Sequence, residues 1–185
     1  MTDRSDTIEN PVTGERITFR KRARDSNGAL LEFELAMEPR GVTMPAHVHP
    51  RQEEHVEVTA GQVRLRLGGT EHVLNVGEAM TLPAGIPHML WNDGDQEARA
   101  LIQAKPGLRT ETAIETLFGL ARDGKTNKSG MPNPLQGVLL AREYETFLPS
   151  PPIPIQRVLL AALAPVARLF GYRTSYPQYS GSAED

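Results

Sequence analysis

The spacing of apolar residues divides this chain into an alternating region and a region with a longer period. Between residues 17 and 104, apolar and polar residues alternate, as they do along Leu31–Met37. Because successive side chains on a strand point to opposite faces, this alternation predicts short strands that each bury one face. The positions predicted to line the core are Leu31, Phe33, Leu35, Met37, Val63, Leu65 and Leu67. Gly68-Gly69 predicts a tight hairpin, and short strands with regular turns indicate a mainly β sandwich or barrel.

After residue 105 the apolar period lengthens to that of a helix. Apolar residues recur three or four positions apart from Ile114 to Ala121, which predicts a helix over residues 110–122. The pattern also predicts a second helix over 135–147 and a third over 155–170. The expected divisions of the chain are a polar lead-in (1–15), a barrel domain (16–105) and a helical C-terminal extension (106–185).

The third predicted helix is apolar almost throughout its length. Pro165 lies inside it and predicts a kink or a break. The run is too short to cross a membrane, and its two arginines, Arg157 and Arg168, are few for a helix that lies on a membrane surface. We therefore expect this helix to pack on the barrel or across a dimer interface. The polar tail that follows, residues 171–185, is expected to be loosely ordered.

Composition narrows the classes of function. The chain has 185 residues, a net charge of -3 and no cysteine, so it can form one domain with an appendage. Its charge argues against nucleic acid as the main partner, and the lack of cysteine excludes disulfides and thiolate zinc sites. The polar start of the chain and the absence of a long apolar run make the cytoplasm the expected location, with no membrane partner.

Three of the five histidines and one glutamate could meet around a single ion. His47 and His49 are two positions apart, so both would point to the same face of a strand. Glu54 begins an apolar alternation and shares its face with two valines, where a carboxylate is costly unless it is paired or binds a metal. His88 shares its face with Leu90. The sequence therefore predicts that His47, His49, Glu54 and His88 bind one divalent transition metal.

The spacing of these residues resembles the two sequence motifs of the cupin superfamily. The first, G-x5-H-x-H-x(3,4)-E-x6-G, is matched at Gly41, His47, His49, Glu54 and Gly61. The second, G-x5-P-x-G-x2-H-x3-N, is matched at Gly77, Pro83, Gly85, His88 and Asn92. The resemblance implies a cupin-type jelly-roll barrel, or double-stranded β-helix, with its metal inside. The barrel followed by about three helices also resembles bacterial single-barrel cupin-domain proteins, and residues 131–134 and 171–173 look like parts of their extension.

Neighbouring charged and imidazole side chains are predicted to be peripheral. The motif allows Glu53 as well as Glu54, but only Glu54 leaves six residues before the motif glycine and shares the valine face. Glu53 is therefore expected at the edge, in solvent. His55 is predicted on the outer face, and His72 could point inward because it shares a face with Leu74.

The predicted ligand set favours a metal-dependent enzyme that acts on a small, partly apolar organic molecule. Imidazole and carboxylate ligands accept Fe, Mn, Ni, Cu or Zn. The resemblance suggests dioxygenase chemistry with Fe, Ni or Cu, and isomerase, cyclase or lyase chemistry as an equal choice with Mn or Zn. Glu54 could serve as ligand and also as acid or base. Two alternatives stay open, a non-catalytic metal or ligand binder (a sensor or storage module) and a structural module; a homodimer is the expected assembly.

Overall fold

Two antiparallel sheets form the body of the fold in the computed structural model, which describes residues 6–41 and 44–180. The nine strands in these residues are β1 (Thr7–Glu9), β2 (Arg16–Lys21), β3 (Leu31–Met37), β4 (Glu53–Ala60), β5 (Gln62–Leu67), β6 (Thr70–Asn75), β7 (Ala79–Leu82), β8 (His88–Trp91) and β9 (Ala98–Lys105). The larger sheet has the order β1-β2-β3-β9-β4-β7, and the smaller has the order β6-β5-β8.

The core lies between the two sheets, and the alternation along each strand decides which side chains enter it. On β3, Leu31 and Phe33 are buried, whereas Glu32 between them faces the other way and is only half-buried. A fully buried apolar side chain of this size stabilises the fold by about 1.5–3 kcal/mol. One continuous cluster takes buried residues from both sheets, among them Ile17, Phe19, Phe33, Val56, Val58, Val63, Leu65, Leu74 and Ile102. The mainly β jelly-roll barrel is confirmed, and Leu67 alone of the predicted core positions is half-buried, beside the hairpin turn.

The helices follow the barrel, apart from one short 3-10 helix at Ala23–Ser26. They are α1 (Thr110–Arg122), α2 (Pro134–Glu143), α3 (Ile153–Leu169) and α4 (Pro177–Ser180). A buried ion cluster fixes α1 to the barrel, because Arg22 donates to Glu111 at 2.7 Å and to Glu115 at 3.1 Å. Removing one member would leave a buried charge without its partner, which is strongly destabilising.

The predicted polar lead-in contains a strand that the sequence did not indicate. Strand β1 pairs with β2 in antiparallel register, and Ile8 packs against the barrel core. With one apolar residue among polar neighbours, β1 has too short an alternation to stand out. It is an edge strand that forms through its pairing with β2. The first five residues of the lead-in lie outside the described residues.

The second helix ends earlier than predicted. It was expected over 135–147, but α2 stops at Glu143. Glu145 has a φ of 49°, a left-handed conformation that cannot continue a helix. Phe147 then forms a bridge with Val48 of the barrel. Pairing with a distant segment thus outweighs the local helical pattern.

The third helix runs unbroken through Pro165, from Ile153 to Leu169, so the predicted break is absent. The carbonyl of Ala161, which would accept from the missing N–H, belongs to an exposed residue that water can reach. Helix α3 packs on α2 through Leu139, Ala164 and Ala167 rather than directly on the barrel. Most of its surface is exposed in the single chain, and packing across a dimer interface stays a prediction. None of the helices in the described part of the chain combines the length and apolar character that a membrane crossing needs.

The tail was expected to be loosely ordered, yet it contains helix α4, which packs on α1. Helix α4 buries Tyr179 and Ser180. The Tyr179 ring lies where a side chain at position 119 would stand, since a Cβ there would be 2.2 Å from Tyr179 Cγ. Gly119 is therefore required for this contact, and residues 181–185 lie outside the described residues.

Candidate metal centre

Two neighbouring segments bring three histidines together. His47 and His88 exchange backbone hydrogen bonds, with His47 N–H donating to His88 O at 3.0 Å and the reverse bond at 2.8 Å. His49, two residues further on, turns its ring to the same side, and the three ring centroids are 4.6–5.5 Å apart. One ring nitrogen of each lies within 4.8 Å of the others. These three imidazoles could hold one metal ion.

Other motif residues hold the backbone around this cluster. Gly85 has a φ of +80° and donates its N–H to His49 O at 2.9 Å, so the turn brings the chain before His88 against the first histidine segment. Such a φ favours glycine, which carries no Cβ. Buried Asn92 donates to the carbonyls of Met37 and Gln96 at 3.0 and 2.8 Å. Asn92 therefore anchors a barrel end.

The hydrogen bonds of two rings decide which nitrogen is free for a metal. His47 Nδ1 lies 2.9 Å from Pro45 O, and His88 Nδ1 lies 3.1 Å from Ile86 O. A carbonyl oxygen only accepts, so Nδ1 carries the proton and Nε2 carries the lone pair. His88 Nε2 is buried and has no hydrogen-bond partner among the described residues. A buried lone pair of this kind fits a metal ligand, because buried polar atoms otherwise find partners.

Glu54 lies beside two of the histidines, where the sequence predicted it. Its Oε1 is 3.8 Å from His49 Nε2 and its Oε2 is 3.5 Å from His88 Nε2. It is buried on the same strand face as Val56 and Val58, whereas Glu53 is exposed on the opposite face. Burial raises the pKa of Glu54, and the nearby His88 acts in the opposite direction. The carboxylate is within reach of the cluster, and its role as a fourth ligand stays a prediction.

Burial favours the uncharged form of two of these histidines, His47 and His49. Desolvation, followed by the neighbouring His88, lowers the pKa of His47 to about 4. Desolvation, followed by the rings of His47 and His88, lowers the pKa of His49 to about 2. Neutral imidazole is the form that binds metals, so His47 and His49 need not lose a proton near neutral pH before they can bind one.

The other two histidines lie outside this cluster. His55 is half-buried on β4, and its Nδ1 is 3.1 Å from Thr81 Oγ1 of the adjacent strand. His72 is half-buried on β6, on the same face as Leu74. Neither belongs to the group of residues that could hold the ion, as expected for His55.

One neighbour of the cluster comes from the helical extension. Thr146 Oγ1 lies 3.5 Å from His49 Nδ1, although the two residues are 97 positions apart. The sequence pattern assigned Thr146 to a helix. Nothing in the sequence signals this contact, since it depends on how the extension folds back.

The comparisons with known proteins agree with this geometry. Residues 33–103 match the family model described as a cupin domain, and both motif histidine segments lie inside that match. These residues of the chain therefore form a cupin domain. The match corresponds to a single cupin domain, which contains most of the strands of the barrel.

Curated relatives of this cupin resemble parts of it. Protein SchB of Streptomyces halstedii is 36% identical over 66 residues, which cover 36% of this chain and 48% of SchB. An oxidoreductase of Arthrobotrys oligospora is 26% identical over 162 residues, covering 78% of this chain and 62% of that protein. Quercetin 2,3-dioxygenase of Bacillus subtilis is 33% identical over 81 residues, covering 40% of this chain and 24% of the enzyme. The chain thus spans about half of SchB and less than two thirds of the other two.

Proposed function

We propose that this cupin is a metal-dependent enzyme that transforms a small, partly apolar organic molecule. His47, His49, His88 and Glu54 would hold one divalent ion of Fe, Mn, Ni, Cu or Zn, all of which accept this ligand set. The observation that carries the proposal is the buried Nε2 of His88, which has no hydrogen-bond partner within residues 6–41 and 44–180 and lies 3.5 Å from a buried carboxylate oxygen. Three imidazoles and one carboxylate form a typical ligand set for such an ion.

The chain's own residues would bind the ion, move a proton and exclude water. When bound, the ion supplies Lewis-acid polarisation of a substrate oxygen, and Fe, Ni or Cu would add redox chemistry. Glu54 is the acid or base of the site, because its carboxylate faces the histidines and burial favours its protonated form. Val56 and Val58 share the Glu54 face and are buried. They keep the interior beside the ligands apolar, which suits the apolar part of a substrate.

The class of reaction rests partly on the relatives. The names of two of them, an oxidoreductase and quercetin 2,3-dioxygenase, favour oxidative chemistry. Both matches are partial, so isomerase, cyclase or lyase chemistry is the other branch of the proposal. The metal distinguishes the branches, since Fe, Ni and Cu support reaction with dioxygen and Zn does not.

Elemental analysis of protein purified without chelator is the experiment that tests the proposal. We expect close to one transition metal per chain, and its loss in a His47→Ala/His88→Ala double variant. A His55→Ala/His72→Ala double variant is the matched control, because it removes two histidines outside the cluster, and it should keep the metal. Iron, nickel or copper directs the next assay to oxygen uptake, and manganese or zinc to isomerase and lyase assays.

Two outcomes of that experiment, and one of a later ligand assay, contradict the proposal. If the protein takes up none of the five ions, even after each is added, the enzyme proposal fails and a binding or structural barrel replaces it. If the His47→Ala/His88→Ala variant retains the metal, the ion lies elsewhere. A loaded protein that binds an apolar ligand without turnover would identify a sensor or storage module.

We also propose that a second copy of the chain covers α3, giving a homodimer. Val158, Leu159 and Leu169 are 70%, 51% and 86% exposed on a face that carries no charged side chain. An exposed apolar patch of this kind marks an interaction site. An uncharged face can pair with its own copy without opposing like charges, as a two-fold interface requires. A cytoplasmic location stays a prediction.

A further inference from the structure

The three histidine rings are held in two different ways. The Nδ1 atoms of His47 and His88 are held by carbonyls two residues earlier in the chain, at 2.9 and 3.1 Å. His49 has no such local partner among the contacts described. Its Nδ1 faces Thr146 Oγ1, between α2 and α3. The orientation of one ring in three therefore depends on a residue outside the barrel.

Backbone pairing holds the Thr146 segment against the histidines. His47 pairs with His88 on one side, and Val48, whose backbone groups point the opposite way, pairs with Phe147 on the other. Val48 N–H donates to Phe147 O at 2.8 Å, and Phe147 N–H donates to Val48 O at 3.0 Å. The first histidine segment thus lies between β8 and the segment formed by residues 145–148. The 145–148 segment covers the edge of the histidine segment that β8 leaves unpaired.

Side chains secure the 145–148 segment from both regions of the protein. Glu145 accepts from Arg51, next to the histidine segment, at 2.5 Å and from Arg157 of α3 at 3.2 Å. Gln156 of α3 accepts from Leu148 N–H at 3.1 Å and donates to Leu148 O at 2.8 Å. Thr146 is therefore held within reach of His49 by contacts on either side of it.

We propose that the 145–148 segment completes the metal centre and that Thr146 is a positioning residue for His49. His49 Nδ1–H donates to Thr146 Oγ1, whose own hydroxyl donates to Tyr144 O at 3.4 Å. This direction of donation leaves the His49 Nε2 lone pair facing Glu54. Partners of this kind fix the tautomer and orientation of a metal-binding ring, and their loss costs about 10–100-fold in metal affinity. The inference rests on the proposed metal site.

The 3.5 Å separation is at the long limit of a hydrogen bond, so the effect of Thr146 should lie near the lower end of that range. The backbone bonds between Val48 and Phe147 are shorter and do not depend on side-chain identity. A substitution at Thr146 should therefore change the ring contact without detaching the segment.

Cobalt(II) titration of the full-length, metal-stripped protein tests the inference without any assay of activity. Thr146→Val keeps the branched shape and removes the hydroxyl, whereas Thr146→Ser keeps the hydroxyl. We expect Thr146→Val to bind Co²⁺ about 10-fold more weakly with a shifted visible absorption spectrum. Thr146→Ser should stay close to wild type in both. Thr81→Val is the matched control, because it removes a hydroxyl that faces His55, a histidine outside the cluster.

The outcomes separate this inference from the proposed function. If wild type binds no Co²⁺, or binds it equally well after His88→Ala, the proposed metal site fails. If that site stands but Thr146→Val matches wild type in affinity and spectrum, Thr146 has no positioning role and the inference is overturned. Equal melting temperatures of the metal-free Val and Ser variants exclude general unfolding as the cause. Weak binding in both variants would overturn the role of the hydroxyl.

Discussion

The barrel and the helical extension of this cupin differ in how they bury their apolar side chains. The barrel encloses a continuous core to which both sheets contribute. The buried cluster between α2 and α3 consists of Leu139, Ala164 and Ala167, and two of these three residues are alanines. Meanwhile α3 leaves Val158 and Leu169 exposed. The barrel core also takes in Phe118 of α1, whereas α2 and α3 bury only a few small side chains between them.

Attachments of the extension lie near the start of the barrel sequence and beside the metal centre. Arg22 holds α1 through two buried glutamates, and buried Gln52 donates to Pro106 O at 2.7 Å and to Thr110 Oγ1 at 2.9 Å. Gln52 lies two residues before Glu54. The extension therefore has a small core of its own, and its attachment through Gln52 lies beside the predicted metal ligands.

The largest predicted effect tests whether the two regions form one cooperative unit. Phe147 is 3% exposed against the histidine segment, so Phe147→Ala should lower the free energy of unfolding by about 3–5 kcal/mol. Urea unfolding measures this, with Trp91 fluorescence reporting on the barrel and far-UV circular dichroism on the helices. Both transitions should move together, because the segment joins the two regions.

Phe170 provides the matched control for that substitution. It is 70% exposed at the end of α3, so Phe170→Ala should change the free energy of unfolding by no more than about 0.5 kcal/mol. If Phe147→Ala shifts the helical signal and leaves the Trp91 transition in place, the extension unfolds separately. The barrel and the extension would then be two independently folding domains.

The second predicted effect concerns the adjacent glutamates of β4. Glu54→Gln keeps the size and removes the charge beside the histidines, so metal affinity should fall by at least the roughly 10-fold that a lost outer partner costs. Glu53→Gln, on the exposed face, should leave affinity unchanged. Competition titration against a chromophoric chelator measures both. Equal affinities would remove Glu54 from the ligand set and leave three histidines.

The sequence predicted the barrel better than the extension, and the reason is physical. Alternation and the motif spacing are local signals, so they located β3, β5 and the residues that bring His47, His49 and His88 together. Helix α1 was also predicted with its observed ends, from a local stripe. Thr146 and Phe147 were assigned to a helix because their pairing with the barrel involves residues far away in the sequence. Strand β1 was missed for the same reason, since its partner β2 defines it.

The third predicted effect is a dependence of the metal-free protein on pH. The pKa of His47 is lowered from 6.5 to about 4 in the folded protein. Between these pH values, the unfolded chain therefore binds a proton at His47 that the folded protein does not bind. Stability should therefore fall as the pH drops from about 6.5 towards 4. Glu54 opposes part of this loss, because its raised pKa lets the folded protein take up a proton first. Melting temperatures across this range should fall less steeply in His47→Gln, and parallel curves would contradict the prediction.

The smallest predicted change in stability tests the exposed face of α3. Val158→Glu introduces a charge at a side chain that is 70% exposed, so the free energy of unfolding of the monomer should change by no more than about 0.5 kcal/mol. Two glutamates brought together across a two-fold interface would repel each other, so the homodimer should dissociate. Light scattering or sedimentation, which measures the mass as a function of concentration, would detect this. Val76→Glu is the matched control at 60% exposure, away from α3, and it should leave the mass unchanged. If the wild-type protein is monomeric at every concentration and binds lipid vesicles, the exposed face of α3 contacts a membrane surface rather than a second copy of the chain. The extension would then attach the barrel to a membrane instead of forming a dimer.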